Sequence, residues 1–188
     1  MLYIPNLLTL ARIAMVPWLL VLLQQQEFTL SLIVFLVAGV SDALDGFIAK
    51  RFNAHTHLGA ILDPLADKAL LVSSYVMLSL MDIIPFWIMV IVVFRDVVIV
   101  GGYLIMFLLY GSIKMHPLVV SKVNTFLQIS YIFVVLLALA LVVDITTFVT
   151  WLGYAVAVSS VSSGLAYVLI WTFKTVDDPE QLKHSPDK

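Results

Sequence analysis

Long apolar runs alternate along the chain with short polar interruptions, and the runs are of similar length. A helix that crosses a hydrocarbon core of about 30 Å needs about 20 mainly apolar residues. Six windows meet that requirement: residues 5–23, 28–48, 59–80, 84–109, 118–143 and 146–173. The separators are Gln24 to Glu27, Lys50 to His57, Met81 and Asp82 before Pro85, Gly111 to Pro117, and Asp144. This pattern predicts an all-α integral membrane protein with six transmembrane helices, forming one membrane domain over residues 1–174. Residues 175–188 form a polar tail. No internal repeat is visible.

Composition strengthens that reading. The 188 residues are 62% hydrophobic and 12% charged, against about 45–50% and about 25% in ordinary soluble domains. A soluble chain this short would not have enough polar surface to cover such a core. The absence of cysteine excludes a disulfide framework and a thiolate metal site. With a net charge of −2 and no block of lysines and arginines, nothing points to nucleic acid. The opening stretch MLYIPNLLTLARIAMVPWLLVLL lacks a basic leader and a small-residue cleavage site, so it reads as a retained first helix.

Basic residues orient the helices. Lys50 and Arg51 fall in the second-to-third connection, Lys114 in the fourth-to-fifth, and Lys174, Lys183 and Lys188 at the C-terminal end. The other three connections carry none. By the positive-inside rule, both termini and these connections are expected on the cytoplasmic side.

Against this apolar background, residues 41–68 (SDALDGFIAKRFNAHTHLGAILDPLADK) hold four aspartates. Asp42 and Asp45 are three apart, and Asp63 and Asp67 four apart. On a helix those spacings differ by only about 60° and 40° around the axis, so each pair presents both carboxylates to one side. The short connection makes the two helices antiparallel neighbours, on which the pairs can converge near the cytoplasmic interface. Four carboxylates at close range repel, and divalent cations resolve the conflict. All-oxygen ligation suits Mg²⁺ or Mn²⁺. The bland alternative, helix caps or ion pairs with Lys50, Arg51 and Lys68, accounts for one such aspartate more readily than for two facing pairs. Carboxylates within a membrane segment are functional candidates. Gly46, Ala49 and Gly59 keep their neighbourhood small, which allows close approach of a helix or a ligand.

Read together, Asp42, Asp45, Gly46, Ala49, Lys50, Gly59, Asp63 and Asp67 resemble the signature of the CDP-alcohol phosphatidyltransferases. One position departs: the family has arginine where this chain has Lys50. A lysine cannot make a bidentate fork to phosphate, and Arg51 lies about 100° away on a helix, so Lys50 is expected to serve as a point-charge contact. The resemblance implies a two-metal site, with Asp42, Asp45 and Asp63 as ligands. Asp67 would complete the metal shell and act as general base. It also implies a CDP-diacylglycerol site lined by Asp42, Asp45, Gly46, Ala49, Lys50, Thr56 and Gly59. The implied reaction transfers the phosphatidyl group to an alcohol with release of CMP, in a homodimer in a bacterial inner membrane.

The acceptor is expected to meet Arg12, Arg95, Lys122 and Asn124. Arg95 lies too deep in its window for easy snorkelling. A lone structural pair with Asp96 is not expected, because adjacent helix residues point apart; a functional or cross-helix pairing role is expected instead. IPNLLTLARI resembles the opening of both phosphatidylglycerophosphate synthases and cardiolipin synthases. Ser121-Lys122-Val123-Asn124-Thr125 and Phe94-Arg95-Asp96 look more like the cardiolipin branch, since the other commonly has a second lysine and Arg-Glu there. A missing charge-assisted phosphate contact is worth about 1.5–3 kcal/mol. The balance leans to phosphatidylglycerol as acceptor, with glycerol 3-phosphate as the alternative.

A cation transporter is the rival from another class. It would need polar residues through the membrane depth, and stretches such as FVVLLALALVV supply none. His55 and His57 read as interfacial loop residues. Trp18, Trp87, Trp151 and Trp171 lie near helix ends, where interfacial aromatics belong. Gly153, Ala157, Ser160 and Gly164 form a small-residue stripe suited to close packing, within the bundle or between two copies.

Overall fold

The computed structural model describes residues 4–52, 59–110 and 119–177, with side chains at 13–41, 68–102 and 119–169. These residues form six helices and no strand: α1 (Ile4–Gln24), α2 (Phe28–Phe52), α3 (Gly59–Leu80), α4 (Phe86–Tyr110), α5 (Val119–Leu141) and α6 (Thr146–Asp177). Each apolar window becomes one helix, because a helix satisfies its backbone polar groups internally where water is scarce. α6 runs on to Asp177, into the stretch expected as tail.

Among the described residues, Val119–Leu141 and Thr146–Leu169 are each long and apolar enough to cross a membrane. The described apolar parts of α1, α2 and α3 are shorter: Ile13–Gln24, Phe28–Ser41 and Lys68–Leu80. Outward faces are apolar as well, with Leu30, Ile33, Val37, Phe94, Phe126, Val158 and Leu165 exposed. Helices apolar all round belong in a large core or in lipid.

The packing closes a ring in the order α1, α2, α5, α6, α4, α3, with α3 also touching α5 across the middle. α2 and α3 make no extended contact among the described residues. α1 packs against both of them, with Leu19 and Leu23 buried; the convergence expected of their aspartate-bearing ends lies outside the described residues. The core is hydrocarbon with two tyrosines: Leu78, Ile88, Val92, Ile132, Leu136 and Val156 pack around Tyr75 and Tyr131, whose rings stack at 6.0 Å.

The small-residue stripe of α6 serves the inside of this bundle. A Cβ at Gly153 would sit 2.7 Å from Ile88 Cδ1 and 3.3 Å from Tyr131 Cε2, and one at Gly164 would sit 3.6 Å from Arg95 Cγ. Ala157 and Ser160 are buried between them. The stripe therefore lets α6 lie close to α4 and α5.

Three helix ends share one device. Gln26, Asp82 and Val142 have φ of 59°, 57° and 55°. At each, two backbone bonds close the last turn. Gln26 N–H donates to Leu23 and Glu27 N–H to Leu22; Asp82 N–H to Ser79 and Ile83 N–H to Leu78; Val142 N–H to Leu139 and Val143 N–H to Ala138. This is the Schellman arrangement, which usually places glycine at the left-handed position. Here none is glycine. The chain then turns straight back into α2, α4 and α6. Beside two of these turns, Trp87 stacks on Tyr154 at 5.6 Å and Trp151 meets the same ring edge-on at 6.1 Å. Trp18 is exposed on α1, and the Trp171 side chain lies outside the described residues.

Candidate active site

The backbone is continuously helical through both aspartate pairs: Asp42 and Asp45 on α2, Asp63 and Asp67 on α3. The helical spacing assumed for each pair therefore holds. Gly46, Ala49 and Lys50 lie on α2, and Gly59 is the first residue of α3. The aspartate, Lys50 and Arg12 side chains, all of Thr56, and the convergence of the pairs lie outside what is described. No group of three or more histidine, cysteine, aspartate or glutamate side chains occurs among the described residues, a set that does not include these four. As donors, four carboxylates on two helices fit a hard divalent cation held by oxygen.

One residue beyond Asp67, the described side chains begin with a charged cluster. Lys68 Nζ donates to Asp96 Oδ1 at 3.1 Å. The same oxygen accepts from Arg95 Nη1 at 2.6 Å. Arg95 and Asp96 thus pair, contrary to the expectation for adjacent helix residues. α4 packs between α3 and α6, so residues about 100° apart on it can both face inward. The long arginine stem lets the guanidinium reach back to the carboxylate. Both are almost fully enclosed, at 4% and 3% exposure, where an unpaired charge would be very costly.

Arg95 also crosses to two other helices. Its Nη2 donates to Ser121 Oγ on α5 at 2.6 Å and to Ser163 Oγ on α6 at 2.8 Å. One turn deeper the contacts turn neutral. Asn124 Oδ1 accepts from Ser159 Oγ at 2.7 Å and from Ser160 Oγ at 2.8 Å, and Gln128 Nε2 lies 3.5 Å from Ser160 Oγ. Tyr75 on α3 donates to the Gln128 carbonyl at 3.2 Å. Ser121, Asn124 and Gln128 recur at helical spacing, as do Ser160 and Ser163, so a polar seam follows the α5–α6 contact inward. Among the described residues, Arg95 Nε, Asp96 Oδ2, Asn124 Nδ2 and Gln128 Oε1 are buried in it with no hydrogen-bond partner.

Of the residues assigned to the acceptor, the structure brings Arg95 and Asn124 into this seam. Lys122 is exposed on another face of α5. Asp96 was named in the sequence reading beside Arg95, whereas Ser159 and Ser163 escaped it. Their signal was weak, consisting only of small polar residues three and four apart in an apolar helix.

A profile of the CDP-alcohol phosphatidyltransferase family matches residues 2–159. The chain is 35% identical over 145 residues to a probable CMP-forming cardiolipin synthase of Drosophila melanogaster, covering 69% of this chain and 45% of that protein. It is 35% identical over 142 residues to the CMP-forming cardiolipin synthase of Homo sapiens, covering 67% and 47%. It is also 30% identical over 118 residues to the CDP-diacylglycerol–glycerol-3-phosphate 3-phosphatidyltransferase of Bacillus subtilis, covering 55% and 61%. The match spans about half the length of the first two relatives. With the aspartate spacing, the helical frame that carries it and the profile match all agreeing, the chain belongs to the CDP-alcohol phosphatidyltransferase family.

Proposed function

We propose that the protein is a divalent-metal-dependent phosphatidyltransferase of phospholipid synthesis, which moves the phosphatidyl group of CDP-diacylglycerol to a glycerol-type alcohol. The observation that carries this is the run from Asp42 to Asp67: four carboxylates at family spacing on two unbroken helices, in a chain of that family. Asp42, Asp45, Asp63 and Asp67 would hold Mg²⁺ or Mn²⁺. When bound, the ions supply charge neutralisation for the pyrophosphate and the developing oxyanions. Gly46, Ala49, Lys50, Thr56 and Gly59 line the nucleotide side, with Lys50 as a phosphate contact. Asp67 takes the proton of the acceptor hydroxyl, as a base within hydrogen-bond reach can. The hydroxyl oxygen attacks the phosphorus that bears the diacylglycerol. The bond from that phosphorus to the bridging oxygen breaks, and CMP departs with the bridging oxygen.

Phosphatidylglycerol is the preferred acceptor in this reading, giving cardiolipin; glycerol 3-phosphate is the second. Identity to cardiolipin synthases supports the first. So does Asn124, whose buried amide meets serine hydroxyls, a neutral setting ill suited to a phosphomonoester. The second keeps its support in the Bacillus relative. Arg95, with Arg12 as a further contact, would meet either acceptor's phosphate. The setting is a multi-pass protein of the cytoplasmic membrane with six spans in one domain, its termini and aspartates toward the cytoplasm, and a homodimer. Because the α6 stripe is used within the bundle, the dimer face lies elsewhere.

Purified protein with CDP-diacylglycerol and Mg²⁺ or Mn²⁺ should release CMP only when an alcohol is added, and phosphatidylglycerol should outperform glycerol 3-phosphate with cardiolipin identified by mass. No CMP with any acceptor, or metal-independent release, sinks the assignment. Asp67→Asn should lower turnover by at least about 10³-fold while CDP-diacylglycerol still binds, because a general base contributes about 10²–10⁴-fold and a metal ligand is disturbed as well.

A further inference from the structure

Asp96 is buried and charged, and the proposed chemistry gives it no part. Its Oδ1 nevertheless accepts from two cations. It accepts from Lys68 Nζ of α3 at 3.1 Å and from Arg95 Nη1 of α4 at 2.6 Å. Through Arg95 Nη2 the link continues to Ser121 of α5 and Ser163 of α6. One carboxylate oxygen thus closes a chain of hydrogen bonds across four helices. Its attachment on α3 is the residue next to Asp67.

We propose that Asp96 is a positioning residue: by holding Lys68, it fixes the rotation of the α3 turn that carries Asp63 and Asp67 relative to α4, α5 and α6. The inference rests on the phosphatidyltransferase reading. A helix is stiff over one residue, so anchoring Lys68 anchors its neighbour. A rotation of α3 by about 15° would displace a group about 6 Å from the axis by roughly 1.5 Å. A displacement of about 1 Å at a reacting group can cost about 10²-fold in rate. Below Lys68, α3 is held mainly by apolar contacts of Leu70, Leu71 and Leu78, which resist separation more than rotation. Its directional bond there, from Tyr75 to the Gln128 carbonyl, lies two turns from Lys68. The Lys68 link supplies direction. The Lys68 side chain is 24% exposed while that of Asp96 is 3% exposed, so the carboxylate is the fixed partner and the lysine the arm drawn to it.

The test uses the full chain in lipid nanodiscs with Mg²⁺ or Mn²⁺. CMP release is measured against CDP-diacylglycerol and against acceptor, alongside thermal unfolding. Lys68→Met keeps the stem and leaves Arg95 paired with Asp96, so it should fold. It should lower kcat by about 30- to 100-fold, keep both KM values within about threefold, and leave the unfolding midpoint nearly unchanged. Lys68→Arg, which can still reach Asp96, should recover most of the rate. Asp96→Asn should lower kcat as well, and the double variant Lys68→Met with Asp96→Asn should lose clearly less than the product of the two single losses, because both changes open the same link. Wild-type kcat in Lys68→Met overturns the proposal. A KM for CDP-diacylglycerol raised tenfold or more, with Asp96→Asn like wild type, also overturns it by making Lys68 a substrate contact. Losses that only track lower unfolding midpoints overturn it too, by making the link merely structural. If wild type releases no CMP with any alcohol, the functional reading fails and this one with it.

Discussion

The two halves of α5 make the most instructive contrast in the molecule. From Tyr131 onward it buries Ile132, Val135 and Leu136 against other hydrocarbon. From Ser121 to Gln128 the same helix turns polar groups inward, to Arg95, Ser159 and Ser160. In lipid the apolar half gains little from leaving water, so it is held by shape and dispersion over many small contacts. The polar half is held by a few directional bonds, each strengthened by the low dielectric, and unmet groups there are costly. Many weak contacts secure a position between helices. A few strong ones secure an orientation, which is what a reaction needs.

Leu136→Ala should produce the largest stability change of those considered next. With the transfer term reduced in lipid, the remaining cavity term gives a cost of about 2 kcal/mol, the low end of the aqueous range. Denaturant titration in mixed micelles measures it, and CMP release per folded molecule should stay near wild type. Gln128→Leu probes the other half. Its Oε1 is unmet and its amide bond is long, so an apolar replacement should raise stability by about 1 kcal/mol. A cost larger than that of Leu136→Ala would show that the polar half carries the stability and erase the contrast.

Smaller effects are expected at the turns closing the apolar end. Val142 is β-branched, left-handed and 91% exposed, so Val142→Gly removes backbone strain of about 1–2 kcal/mol without losing packing. Glycine's greater freedom when unfolded offsets part of this, leaving a gain of about 0.5–1 kcal/mol in the same titration. Two residues on, Asp144 accepts hydrogen bonds from the Thr146 hydroxyl at 2.6 Å and the Thr146 amide at 3.1 Å. These hold its carboxyl below the usual value, the hydroxyl contributing most. A lowered folded value means the contribution is present above the ordinary carboxylate range and is lost as pH falls through the lowered one. The unfolding midpoint should therefore dip slightly on acidification, and Asp144→Asn should remove that component. The group is fully exposed, so this is the smallest effect.

How much of this was legible from residues alone depended on the period of the signal. The helices were readable because an apolar run of fixed length has one stable form in lipid. The aspartate pairs were readable because spacings of three and four mean one helix face. Their side chains, and Thr56, lie outside the described residues, so the site's sequence reading stands as a proposal. The ring order was not legible, since nothing local says that α1 packs against both α2 and α3. The cross-helix role expected of Arg95 is met by Ser121 and Ser163, while its contact with the adjacent Asp96 was missed by a rule for surface helices, where side chains can point apart into water. The turns at Gln26, Asp82 and Val142 were located by their polar separators, but their left-handed closure was not legible because the usual glycine is missing from all three.

Those three turns bear on how the protein is made. Each is closed by backbone bonds of the preceding helix, and the helices it joins, α1 with α2, α3 with α4 and α5 with α6, pack on each other. Such a hairpin requires nothing from distant parts of the chain. The bundle is thus three self-contained hairpins that can form in order of synthesis, each closed by a turn that carries an acidic residue (Glu27, Asp82 or Asp144) and no lysine or arginine. The long-range bonds of Arg95 must wait for the last hairpin, because Ser163 arrives with α6. Until then the buried cation has only part of its shell, and completion of that shell marks the end of assembly.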